Sequence, residues 1–303
     1  MLLRGMTNLT TGPSSGIARR DFLGMLGASA ASLSLGLAPA KSCILLLNDG
    51  GMSHLDSWDP KPDAPREVRG PFSAIPTRGD FQVSEVFPQI AKIADKLALI
   101  RSVTSPAVAL HDVASAALRI KMPPLTPEAS STLEPLRTRE RYGINPLGER
   151  LLSARRSVEN GARFVTAKTD FSGPTWDIHG AHPFSTMDDF QHTVAPMFDR
   201  AFSALISDLH ERGLLATTLV ASLTEFGRAP WLNADGGRDH WTGCWSVCFA
   251  GAGVRGGRAI GQSDEHGAYP LDRPTSPQQL VATIHRILGI PSTAATTAID
   301  DLF

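Results

Sequence analysis

Acidic and histidine side chains recur in this chain shortly after apolar segments. Carboxylate and imidazole groups together suit zinc, manganese and iron. In an open α/β sheet, ligands that follow different strands meet in one crevice at the carboxyl ends of those strands. We therefore predict a metal site built from distant parts of the sequence. Its candidate ligands are Asp49, His54, Asp177, His179, Glu225, Asp239 and His240.

Arg228 lies three residues after Glu225 and could bind a phosphate or sulfate oxygen in a bidentate manner. With a pair of ions, such a site would hold the attacking and leaving oxygens of an in-line displacement. Each residue alone also has a structural interpretation. Asp49, which precedes two glycines, could form a turn, and Glu225 could cap the next element. Their joint occurrence after successive apolar segments is what favours a metal site.

The elements that must position these residues alternate between strands and helices. Apolar runs predict strands at 42–47, 97–103, 163–167, 219–223 and 246–251. Helical patterns are present at 86–96, 111–120, 146–161, 187–212 and 277–288. This alternation predicts a three-layer α/β fold with a mostly parallel central sheet and helices on both faces.

Residues 1–40 are predicted to be an export signal. Arg19 and Arg20 precede a weakly apolar stretch of small residues, which ends in the cleavage-site pattern Ala38-Pro39-Ala40. The paired arginines resemble the twin-arginine signal, so the expected partner is the twin-arginine export machinery. An amphipathic N-terminal helix is the alternative. We expect no stable membrane span, because the stretch is too short. Residues 41–303 are then expected to form one exported domain, periplasmic or extracellular.

The composition excludes several other classes of protein. The chain has 303 residues and a net charge of −1, which gives no basis for electrostatic binding of nucleic acid or anionic lipid. Its three cysteines are too few and odd in number, so they do not indicate a disulfide framework.

The motifs resemble DUF1501, a family of exported bacterial proteins, which is similar in turn to the alkaline-phosphatase-like superfamily of phosphatases and sulfatases. The matching stretches are 47–62, 139–143, 154–156, 176–180, 224–228 and 237–241. The resemblance implies one or two divalent ions, from among zinc, manganese and calcium. It also implies an ester substrate, either a small molecule or a polysaccharide.

Residue by residue, the resemblance implies metal-binding roles for Asp49, for Asp177 with His179, and for His240. Glu225 falls where the superfamily usually has Asp-His. The superfamily places a serine, threonine or cysteine nucleophile at the start of the helix after the second strand. Here that region offers Thr104 among other hydroxyl residues, and then His111. His111 could act as a nucleophile or equally as a metal ligand. The chain has no Cys-x-Pro-x-Arg motif, which disfavours a formylglycine sulfatase.

The chain departs from the family pattern in its middle. Residues 122–136 bridge a region where family members usually carry a much longer segment. Two functions therefore remain open. One is an exported metal-dependent hydrolase of phosphate or sulfate esters. The other is a non-catalytic exported binding or scaffold protein that retains the fold and possibly a metal site.

Overall fold

The computed structural model describes residues 39–106, 133–291 and 296–303, and its centre is a six-stranded sheet. In chain order the strands are β1 Ser42–Asn48, β2 Ala74–Pro76, β3 Gln82–Ser84, β4 Leu97–Val103, β5 Phe164–Lys168, β6 Thr218–Thr224, β7 Gly227–Arg228, β8 His240–Trp241, β9 Trp245–Ala250, β10 Arg258–Ile260, β11 Gln262–Ser263 and β12 Pro270–Asp272. The central sheet has the order β10-β4-β9-β6-β1-β5, and the remaining strands form three small hairpins.

Strand β1 lies inside the sheet, as its continuous apolar run predicts. It pairs in parallel with β6 on one side and with β5 on the other. Because side chains alternate between the faces of a strand, Ile44 and Leu46 join one core, while Cys43 and Leu45 join the other. A strand that is buried on both faces in this way requires helices on both sides of the sheet.

The prediction of a mostly parallel sheet is confirmed. Strands β1, β5 and β6 are parallel, and β10 is parallel to β4. Strand β9 is antiparallel to both of its neighbours, β4 and β6. The carboxyl ends of β1, β4, β5 and β6 therefore lie along one edge of the sheet.

Helices cover both faces, which confirms the predicted three layers. The α-helices are α1 Arg66–Arg69, α2 Pro88–Ala91, α3 Leu136–Tyr142, α4 Pro146–Glu159, α5 Met187–Asp189, α6 Ala195–Glu211 and α7 Pro277–Ile287. Leu151 of α4 and Phe198 of α6 pack in the core that contains Ile44. Leu280 and Ile284 of α7 pack in the opposite core.

The longest predicted helix, 187–212, is continuous but not uniform. It begins as α5, passes through a π-helical segment, Phe190–Val194, and continues as α6. Thr186 and Asp189 form a reciprocal capping box at its start. Gly213, with φ +71°, follows its last turn as expected. By contrast, the predicted helix 86–96 is reduced to α2 and a 3₁₀ turn, Ala94–Lys96.

Several predictions lie outside the described residues. They are the body of the export signal, the helix 111–120 with His111, and most of the segment 122–136. Among the helices that are described, none is long and apolar enough to cross a membrane.

Candidate metal centre

Three of the predicted ligands meet at one point beside the carboxyl edge of the sheet. Asp177 and His179 lie in the loop after β5, and His240 lies in β8. One ligand atom from each residue lies within 4.8 Å of the other two. Within the described ranges, these three residues form the group of carboxylate and histidine side chains whose ligand atoms are close enough together to bind one ion.

The spacing of these atoms fits a single ion. Nε2 of His179 lies 3.1 Å from Oδ1 of Asp177, and Nε2 of His240 lies 3.2 Å from the same oxygen. A tetrahedral zinc ion binds such ligands at about 2.0–2.1 Å, which separates neighbouring ligand atoms by about 3.3 Å. The site is also partly open, since the three side chains are 16–24% exposed.

Asp239 orients one of the histidines. Its Oδ1 lies 3.3 Å from Nδ1 of His179, on the opposite side of the ring from Nε2. A carboxylate at the second ring nitrogen is the usual support for a metal-binding histidine, because it fixes the tautomer and the ring orientation. Asp239 is therefore placed to support His179, although the sequence suggested it as a direct ligand.

A buried arginine, Arg228, binds the carboxylate of Asp177. Its side chain is fully buried. Its Nε donates to the carbonyl of Gly51 at 2.9 Å, and its Nη1 donates to that of Arg238 at 3.0 Å. Nη2 donates both to the carbonyl of Gly50 and to Oδ1 of Asp177. In this arrangement the guanidinium presents no exposed surface to a substrate.

The surroundings favour the protonation states that bind metals. Burial raises the pKa of Asp177, but the hydrogen bond from His240 and the charge of Arg228 outweigh it, so the pKa falls below its usual range. Burial lowers the pKa of His179, and the nearby charge of Arg228 lowers it further. Ionised carboxylates and neutral imidazoles are the forms that coordinate metal ions.

Two glycines allow the loop after β1 to approach the site closely. A Cβ at Gly50 would lie 2.9 Å from the backbone nitrogen of Asp177, and one at Gly51 would lie 2.5 Å from the ring of Phe226. Both have a positive φ, +109° and +75°, which glycine adopts without strain. The Asp-Gly-Gly motif therefore serves close packing here.

Asn233 links the segment that carries His179 to the segment that carries His240. Nδ2 of Asn233 donates to the carbonyl of His179 at 3.1 Å and to Oδ1 of Asp239 at 3.0 Å. Its Oδ1 accepts from the backbone of Asp235 and Gly237. Sequence reasoning missed Asn233. Its position in the turn-forming stretch Asn233-Ala234-Asp235-Gly236 was the available signal.

The other predicted site residues lie outside this group. Asp49 is half exposed and pairs with Lys168 at 2.7 Å. Oε1 of Glu225 accepts from the backbone of Gly50 at 2.9 Å. His54 is fully buried, with Nε2 2.7 Å from the carbonyl of Gly267. Thr104 follows β4, and its hydroxyl lies 3.5 Å from the carbonyl of Thr242.

Comparison with known families identifies the chain. A family model described as a protein of unknown function, DUF1501, matches residues 40–135 and 127–302. The chain belongs to the DUF1501 family. The two matched segments overlap at 127–135. This overlap lies inside 122–136, where the sequence predicts that the middle of the chain is shortened. No curated protein matches the sequence.

Solved structures with a distant similarity include Ps i-CgsB, a sulfatase and a lipoteichoic acid synthase. Ps i-CgsB has 10% identity and a TM-score of 0.49, over 86% of this chain and 75% of its own. The PsFucS1 sulfatase from Pseudoalteromonas sp. has 14% identity and a TM-score of 0.40, over 94% and 75%. The lipoteichoic acid synthase LtaP from Listeria monocytogenes has 9% identity and a TM-score of 0.38, over 88% and 79%. Similarities this distant do not define a substrate or a mechanism.

Proposed function

We propose that this DUF1501 protein is an exported, metal-dependent hydrolase of phosphate or sulfate esters. The observation that carries the proposal is the convergence of Asp177, His179 and His240 within 4.8 Å. Three protein ligands bind one ion and leave a position for water or a substrate oxygen, as catalytic zinc sites do. Two imidazoles among three ligands favour zinc over calcium, which takes six to eight oxygen ligands.

The residues around the ligands support such a role. A bound ion would polarise the ester oxygen as a Lewis acid. Arg228 fixes the carboxylate of Asp177, and Asp239 fixes the ring of His179. Ligands that are already held in place need little rearrangement when an ion or a substrate binds.

Thr104 is our proposed attacking group within the described chain, with His111 as the alternative. Thr104 directly follows β4, whose carboxyl end lies on the same edge of the sheet as that of β6. We propose a different role for Arg228 from the one its sequence position suggests. Since it is fully buried and bonded to Asp177, it positions that ligand.

A non-catalytic, metal-binding protein is the second candidate function. The burial of Arg228 favours it, because the guanidinium that binds Asp177 is committed to protein groups. This candidate predicts metal binding without turnover. For either function we propose that residues 1–40 direct export and that residues 41–303 form the exported domain, consistent with the paired arginines at 19 and 20.

Hydrolysis of aryl phosphate and aryl sulfate esters tests the proposal. The protein should cleave at least one ester class, lose this activity with a chelator and regain it with zinc or manganese. His240→Ala should be inactive, while His192→Ala, a change at an exposed histidine beside Asp188, should retain activity. Metal binding without any turnover would reject the hydrolase in favour of the non-catalytic candidate. Activity that survives both the chelator and His240→Ala would reject the site.

A further inference from the structure

A polar cavity of 450 Å³ lies apart from the metal ligands. It is formed by the loop after β1, by the turn between β2 and β3, by β4, and by the β11–β12 hairpin with the adjoining end of β10. The described residues that line the cavity do not include Asp177, His179 or His240. Asp59 and Lys61 of its wall belong to the family-matching stretch 47–62, and the proposed hydrolysis gives them no role.

The charges on the wall balance. Asp59 is 3% exposed, and its carboxylate lies 3.3 Å from Lys61 and 3.3 Å from Arg101. The remaining charged lining residues are Asp80, Asp272 and Arg273. Among the described lining residues, three carboxylates thus face three cations, and together they carry no net charge that would attract an anion. Asp59 already has ion pairs with Lys61 and Arg101. Its carboxylate is therefore not free to pair with the cationic group of a zwitterion.

Hydrogen-bonding capacity nevertheless remains. Nη2 of Arg101 donates to the carbonyls of Trp58 and Gln82, but its Nε is buried without a hydrogen-bond partner. Leaving a buried donor without a partner is unfavourable, and each such group calls for an explanation. The exposed side chain of Gln262 adds an amide, with one acceptor and two donors, to the wall.

We propose that this cavity binds a neutral polyhydroxylated ligand of the size of a monosaccharide or disaccharide. A hydroxyl group both donates and accepts hydrogen bonds, so a polyol suits a wall that presents donors and acceptors with balanced charge. Sulfate or phosphate would meet as many carboxylates as cations among these lining residues. The volume falls in the range of small-molecule sites, about 300–1,000 Å³. The proposal is independent of ester hydrolysis at the metal centre.

Calorimetry and ligand-observed NMR with D-glucose, D-galactose and D-mannose test this site on the full chain. At least one sugar should bind saturably, and neither sulfate nor glycine should displace it. Arg101→Lys keeps the charge but removes the Nε donor, and Gln262→Ala removes an exposed amide without touching the core. Each should weaken binding about tenfold, which corresponds to about 1.4 kcal/mol. Gln89→Ala, a change at a glutamine outside the cavity, should leave binding unchanged.

Two results would overturn the assignment. One is the absence of binding to all three sugars, which would leave ordered water as the partner of Arg101. The other is displacement of a bound sugar by sulfate or glycine, which would indicate an ion site. Gln262→Ala keeps the test valid if Arg101→Lys does not fold, because Gln262 is exposed.

Discussion

Removing the carboxylate of Asp239 should weaken metal binding without removing a ligand. Oδ1 of Asp239 lies 3.3 Å from Nδ1 of His179 and fixes the ring so that Nε2 faces Asp177. Loss of such a support typically costs about 10- to 100-fold in metal affinity. The contact is long and the Asp239 side chain is 62% exposed, so we expect the lower end for Asp239→Ala. That is about tenfold, or about 1.4 kcal/mol.

The assay is zinc affinity by competition with a chromophoric chelator. Asp235→Ala is the matched control, because Asp235 carries the same charge in the same loop but contributes only its backbone to the network. Its zinc affinity should match that of the wild type. Equal losses in Asp239→Ala and Asp235→Ala would show that only the net charge of the loop matters. The inference that Asp239 orients the ring of His179 would then be wrong.

Three further predictions concern stability and export. Gly51→Ala should destabilise the protein by about 2–4 kcal/mol in urea unfolding, since it adds a clash with an aromatic ring to a φ of +75°. Gly213→Ala, at φ +71° with open space, should cost only about 1 kcal/mol, and equal losses would refute the clash. Burial raises the pKa of Asp199 from 3.8 to about 6, so its stabilising contribution is present below pH 3.8 and is lost as the pH rises through about 6. Relative to Asp199→Asn, the wild type should lose up to about 3 kcal/mol of unfolding free energy across this range, and parallel pH profiles would contradict the reasoning. Changing Arg19 and Arg20 to Lys together should leave the precursor in the cytoplasm by cell fractionation, whereas unchanged export would rule out the twin-arginine signal.

The strands and long helices could be predicted because their patterns are local. The run 42–47 is apolar at every position except Ser42. A nearly continuous apolar run is typical of a strand that is buried on both faces. The direction of β9 could not be predicted in this way. A short apolar run has the same pattern in either direction, so the composition of 246–251 does not show that β9 is antiparallel to β4 and β6.

The site was predicted in part, for a similar reason. Residue types identified Asp177, His179 and His240, which the structure brings together. The same reasoning included Glu225 and His54, whose polar atoms are instead 2.9 Å and 2.7 Å from backbone groups. Type and spacing identify which groups can bind a metal. The direction of each side chain depends on loop packing that a single sequence does not reveal.

Metal stoichiometry is the most direct test of the central claim. The full chain, dialysed against zinc and then against buffer, should retain about one ion per molecule by elemental analysis, because three ligands form one site. His179→Ala and His240→Ala should lose that ion, and His192→Ala should keep it. A chain that retains no zinc, or whose zinc content is the same in all three variants, would contradict the claim that Asp177, His179 and His240 form a metal centre.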